Sequence, residues 1–180
     1  MSSLELLDSA QHKLRLAHYH AETLLGILAQ HPHDGPDEPL RAPLEAHLEG
    51  LAYTGTAATE KTIRSVDPNG IPSMAPIQRM IIEAKAERQT PATRAFAGEF
   101  ENWWVGRQRG TRFAQVARDL RNDAAHRVYE KAPDGPRWRM ELSQGRPIAI
   151  DDFANGYLLE LEELETLVGS AEELAAVAAG

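Results

Sequence analysis

Arg121-Asn122-Asp123-Ala124-Ala125-His126 places a permanent cation, a carboxamide and a titratable imidazole within six residues. A guanidinium holds phosphate or carboxylate through a planar fork of donors. An imidazole exchanges protons near neutral pH. Together these groups are sufficient for attack on a phosphodiester without a metal. Arg118 and Tyr129 fall on the same polar row if one helix runs from about 111 to 130, and they extend the candidate site toward substrate. On that helix Phe113, Val116, Ala117, Leu120, Ala124 and Val128 form the inward stripe, with Asn122 and His126 one turn apart on the other side.

The elements that must carry this helix can be read from periodicity and breakers. Residues 4–30 predict a long helix with Leu4, Leu7, Leu14, Ala21, Leu25 and Leu28 on its seam, which Gln11 and His18 share. The His31–Pro39 segment is a loop, and a second helix over 42–65 turns Leu44, Leu48, Leu51, Ala58 and Ile63 inward. A helix from Ala75 to about Gln89 follows. Thr90-Pro91 then opens another toward Trp103-Trp104, a hydroxyl cap followed by proline. Adjacent helical side chains diverge by about 100°, so one tryptophan is expected inside and its neighbour at solvent or a partner. Gly106 and Gly110 end that helix, and Thr111 is the expected cap of the next.

Residues 137–142 and 146–150 predict a small hairpin around Ser143-Gln144-Gly145. Asp151 or Asp152 is the expected cap of a last helix over 152–178, whose seam is Tyr157, Leu161, Leu164, Val168, Ala171, Ala175 and Ala178. The fold class is therefore all-α, an antiparallel helical bundle with a β-hairpin insertion before the last helix, in one domain over 1–180.

Composition narrows the function. The chain has no cysteine, which removes disulfides, thiolate catalysis and thiolate-bound zinc. No apolar run is long enough for a bilayer, and Met1–Asp8 lacks a basic start and apolar core, so a cytoplasmic protein without a secretory leader is expected. The formal charge of −8 disfavours indiscriminate coating of nucleic acid. Charge is uneven, however: residues 102–131 carry seven basic residues against three acidic ones, whereas 151–180 carry eight acidic residues and no basic one. Such a distribution suits selective binding of an anion. His12, His18, His20, His31, His33 and His47 show neither His-Glu-x-x-His nor paired Glu-x-x-His spacing, so no metal and no cofactor is expected. His18 reads either as a hydrogen-bonded core histidine or as part of a cleft lining.

An arginine, a small polar residue and a histidine a few positions on, carried by a bundle helix, resemble the motif of HEPN (higher eukaryotes and prokaryotes nucleotide-binding) domains. Arg121, Asn122 and His126 match it at the shortest usual spacing, over six residues plus the all-helical context. The resemblance implies a homodimer that pairs two motifs across a cleft, RNA or a nucleotide as ligand, and a toxin or defence role beside a nucleotidyltransferase-like antitoxin. It implies that His126 moves the 2′-hydroxyl or leaving-group proton, Arg121 holds the scissile phosphate and Asn122 orients either. A fixed cation there stabilises the transition state by about 3–4 kcal/mol, by analogy with one oxyanion donor. Some family members bind nucleotides or proteins without cleaving them, and that remains the alternative function. Two departures stand out: Tyr129 lies three positions after His126, where a modified tyrosine lies two after it in a subset of the family, and the tryptophan-bearing hairpin has no counterpart in the family core.

Overall fold

The computed structural model describes residues 1–30, 38–73, 75–106, 112–122, 128–131, 138–141 and 148–179, with the backbone alone at 38–39, 128–131, 141 and 179. The elements run α1 (Ser3–Gln30), α2 (Glu38–Ser65), α3 (Ile77–Ala84), α4 (Pro91–Val105), α5 (Phe113–Asn122), β1 (Val128–Lys131), β2 (Trp138–Glu141), β3 (Ile148–Ala149) and α6 (Ile150–Ala179). This is an all-α helical bundle with a small antiparallel insertion before the last helix. No helix among the described residues is long and apolar enough to cross a membrane.

Contacts gather into two compact units whose division falls inside α1, α2 and α6. The first comprises Met1–Leu14, Ala57–Arg112 and Glu162–Gly180. Its core holds Leu6, Leu7, Met80, Phe100 and Leu164, all fully or almost fully buried. Trp103 and Trp104 are both buried there, contrary to the expectation that one would face outward. Trp103 stacks at a tilt on Phe100 with ring centroids 5.5 Å apart, so the aromatic run packs on itself. The second unit comprises Arg15–Thr56 and Phe113–Leu161, around Leu24, Leu48, Leu51, Phe153 and Tyr157.

Helix ends explain most boundaries. Ser2 and Glu5 form a reciprocal capping box: the Ser2 amide donates to Glu5 Oε2 (2.7 Å) and the Glu5 amide to Ser2 Oγ (3.2 Å). Ser2, through its amide and then its side chain, holds the Glu5 carboxyl below its ordinary range. Thr90 caps α4, accepting from the Thr93 amide (3.1 Å), with Pro91 in the first turn. α4 ends at Gly106, where φ is +81°. Helix α2 starts at Glu38, earlier than residue 42, because Pro39 in the first turn forfeits no intrahelical bond. Pro43 lies inside the helix. Helix α3 is shorter than the expected 75–89. After Ala84 the chain turns, and the Gln89 side chain donates to Asp67 Oδ2 (2.6 Å). The extended conformation of Thr90 ahead of Pro91 excludes continuation into α4.

On α1 the buried stripe is Leu7, Ala10, Leu14, Ala17, Ala21 and Leu24. Small alanines take the places assigned from sequence to Gln11 and His18, and Leu4 is exposed. The α6 seam is buried from Tyr157 to Ala171, whereas Ala178 is exposed. Asp151 and Asp152 lie in the first turn of α6 instead of capping it, near its positive end.

The hairpin is present as part of a three-stranded meander, order β1-β2-β3. Its register pairs Val128 with Glu141, Tyr129 with Met140 and Lys131 with Trp138 on one side, and Met140 with Ile148 on the other. Trp138 and Met140 are buried while Arg139 between them is partly exposed, the two-residue alternation of a half-covered strand. Strand β3 passes into α6 with no intervening residue.

Gly156 faces the Phe113 ring so closely that a methyl group there would collide with it, whereas Gly169 on the same helix has open space around it. Gly156→Ala should therefore destabilise the fold by about 1–3 kcal/mol through overpacking. Gly169→Ala should stabilise it by about 0.5–1 kcal/mol. Urea unfolding of the two variants gives the opposite signs if the packing is as described.

Candidate functional site

Helix α5 carries the candidate site and is only 10 residues long. A helix this short does not persist on propensity alone. It buries Ala114, Val116, Ala117 and Leu120 along one face, and each large apolar side chain contributes about 1.5–3 kcal/mol. Its first turn is closed from another helix. Glu160 of α6, only 7% exposed, accepts from the Phe113 amide (3.0 Å) and the Ala114 amide (2.7 Å). Two otherwise unpaired helix-start donors thus meet a carboxylate at the positive end of the helix. The expected cap, Thr111, lies outside the described residues.

Arg121 and Asn122 occupy the last turn of α5. Asn122 is exposed and Arg121 half-buried. The Arg121 charge reaches the hydroxyl of Tyr157, which is fully buried and has no hydrogen-bond partner among the described residues. Burial raises the Tyr157 phenol far above its ordinary value. Glu160 adds to that rise, and Arg121 opposes it. Tyr157 is thus a neutral phenol that feels both an anion and a cation. Gly55 of α2 leaves the space its hydroxyl occupies.

Arg118 is clasped by its neighbour Asp119, with Nη2 2.6 Å and Nε 2.9 Å from Oδ1. Both side chains are more than a third exposed. Such a pair is worth about 0–1 kcal/mol. His126 lies outside the described residues, as does the inward position Ala124. Tyr129 is not on the helix. It sits on β1, so the single helix expected to run to about 130 is corrected: helix is described to Asn122 and strand begins at Val128. The β-branched and aromatic pair Val128-Tyr129 gains ladder bonds to β2 that an extended helix would forfeit. Arg118, Arg121 and Asn122 therefore share one helix, and Tyr129 belongs to the sheet that follows.

Glu160 was not identified from sequence as a functional residue, although the spacing 153, 157, 160, 164 puts a carboxylate on the inward stripe of α6. A second cluster was also missed. His20 Nδ1 and His47 Nδ1 are 3.1 Å apart, and the exposed Tyr19 ring meets both imidazoles edge-on at 5.4 and 5.9 Å. Burial, then the neighbouring His47, lowers the His20 pKa. His18 is half-buried on the same helix. Among the described residues no three His, Asp or Glu side chains converge as a metal-binding group.

Removing the Glu160 carboxylate in Glu160→Ala should cost about 2 kcal/mol of unfolding free energy, because buried amides lose their acceptor. Glu160→Gln, which keeps one acceptor, should cost less. Denaturant titration separates the two. For His20 the folded form favours the neutral ring, so its contribution is complete above the unfolded pKa and is lost as pH falls below about 6.5. The thermal midpoint should fall between pH 7.5 and 5.5, and the fall should be smaller in His20→Asn.

No protein family, curated protein or solved structure matches this chain.

Proposed function

We propose that this chain is a metal-independent endoribonuclease of the HEPN type, acting as a homodimer. The observation that carries the reading is the end of α5. It presents a half-buried guanidinium and an exposed carboxamide on a helix anchored at its other end by a buried carboxylate. His126 follows Asn122 by four residues, a tether of at most about 14 Å. In the reaction, one His126 imidazole takes the proton of a 2′-hydroxyl, and that oxygen attacks the adjacent phosphorus. The bond to the 5′-oxygen breaks, and the leaving oxygen takes a proton from the His126 of the second copy. The products are a 2′,3′-cyclic phosphate and a 5′-hydroxyl. Arg121 stabilises the charge that grows on the phosphoryl oxygens, and Arg118 gives up Asp119 to hold a neighbouring phosphate. DNA lacks the attacking hydroxyl and is spared. A nucleotidyltransferase-like antitoxin and a toxin or defence role in the cytoplasm belong to the same reading.

A second reading is favoured by the strand at Val128–Lys131, which separates Tyr129 from the helical row, and by the Arg118–Asp119 pair. In it the same cationic helix end binds a nucleotide or a protein partner without cleaving anything.

Purified chain incubated with RNA in a chelating buffer should yield cyclic-phosphate ends. His126→Ala should abolish cleavage, and Arg121→Ala should slow it by about 10²–10³-fold. Cleavage that survives unchanged in His126→Ala would sink the enzymatic reading. Saturable nucleotide binding that Arg121→Ala weakens, with no cleavage by the wild-type chain, would establish the second one.

A further inference from the structure

We propose that His20 and His47 form a two-imidazole site for a borderline first-row dication, with Cu2+ and Zn2+ as the fitting ions. The site is separate from α5 and does not depend on the ribonuclease reading.

The geometry is that of cis ligands. A metal bonded to two nitrogens at about 2.0–2.1 Å brings them about 3.3 Å apart at a tetrahedral angle and about 2.9 Å apart at a right angle. The two Nδ1 atoms stand at 3.1 Å, between those limits. As a plain hydrogen bond, the contact requires one neutral ring to donate from Nδ1 while the other accepts. A dication satisfies both lone pairs at once, with both rings protonated at Nε2. The ring planes are tilted by 57° and do not stack face to face.

The backbone is shaped for this approach. Gly50, one turn beyond His47 on α2, lies directly against the His20 imidazole, and any side chain there would collide with the ring. Tyr19 contacts both rings at their edges and limits their rotation. Both histidines are half-buried, which leaves an entry path. Because no third protein ligand joins the pair among the described residues, water or an external donor completes the coordination sphere. Two imidazoles with open positions select copper and zinc over magnesium or calcium, and copper over zinc.

Chelator-treated protein titrated with Cu2+ at pH 7.5 should bind one equivalent at this pair, with a paramagnetic resonance spectrum showing coupling to two imidazole nitrogens. Zn2+ should compete for the same site. His20→Ala and His47→Ala should each weaken binding at least tenfold. His12→Ala, a substitution of an exposed histidine, should leave it unchanged. Gly50→Ala keeps both imidazoles but should weaken binding by displacing one; circular dichroism shows whether each variant keeps its helices. Wild-type affinity no greater than that of the His20→Ala/His47→Ala double variant, or a spectrum without two-nitrogen coupling, overturns the proposal. RNA cleavage in chelator is unaffected by either result, so the two readings stand or fall separately.

Discussion

The carboxylate of Glu160 closing the first turn of α5 is the constraint on which the rest of the site depends. Helix α5 has 10 residues, too few to hold itself together in water. Its start would leave buried donors unpaired without an acceptor from elsewhere. The acceptor comes from α6, whose inward stripe is otherwise apolar around Glu160. A buried charge is costly unless it is well bonded. Here the two short amide bonds and the positive helix end offset that cost. The same charge acts on Tyr157, which also feels Arg121. One side chain therefore anchors the helix that carries the candidate arginine and adds to the effect of burial in keeping the phenol neutral.

The long helices were legible because their signals are local and repeated. Leu44, Leu48 and Leu51 recur at helical spacing and are buried, and Thr90-Pro91 forms the cap its chemistry predicts. What failed depended on competition between elements. Trp103 and Trp104 both go inside because the unit around Phe100 has room for two indoles, which a helical wheel cannot report. On α1 the small apolar Ala10 and Ala17 are buried where longer polar residues were assigned, a choice that a seam drawn mainly on leucines does not make. The strand at Val128 forms because a partner strand is present to accept its backbone bonds, and that partner begins ten residues downstream.

The candidate site was legible only in part, for a similar reason. Arg121 and Asn122 were singled out from residue type and spacing, and both lie on a helix as expected, but in its last turn instead of the middle of a helix running to about 130. Tyr129 was assigned to the wrong element, because a helical wheel assumes that the helix continues. Glu160 and the His20–His47 pair are tertiary features. The two histidines lie on different helices, ten residues before the end of α1 and nine after the start of α2. That placement is visible in the sequence only after both helix ends are known.

Strand β3 ends at Ala149 and α6 begins at Ile150, so the sheet and the last helix share a joint without slack. Ten residues along α6 from that joint, about 15 Å, sits the carboxylate that anchors α5. The same joint therefore sets the helical phase in which α6 presents that carboxylate to the N-terminal amides of α5.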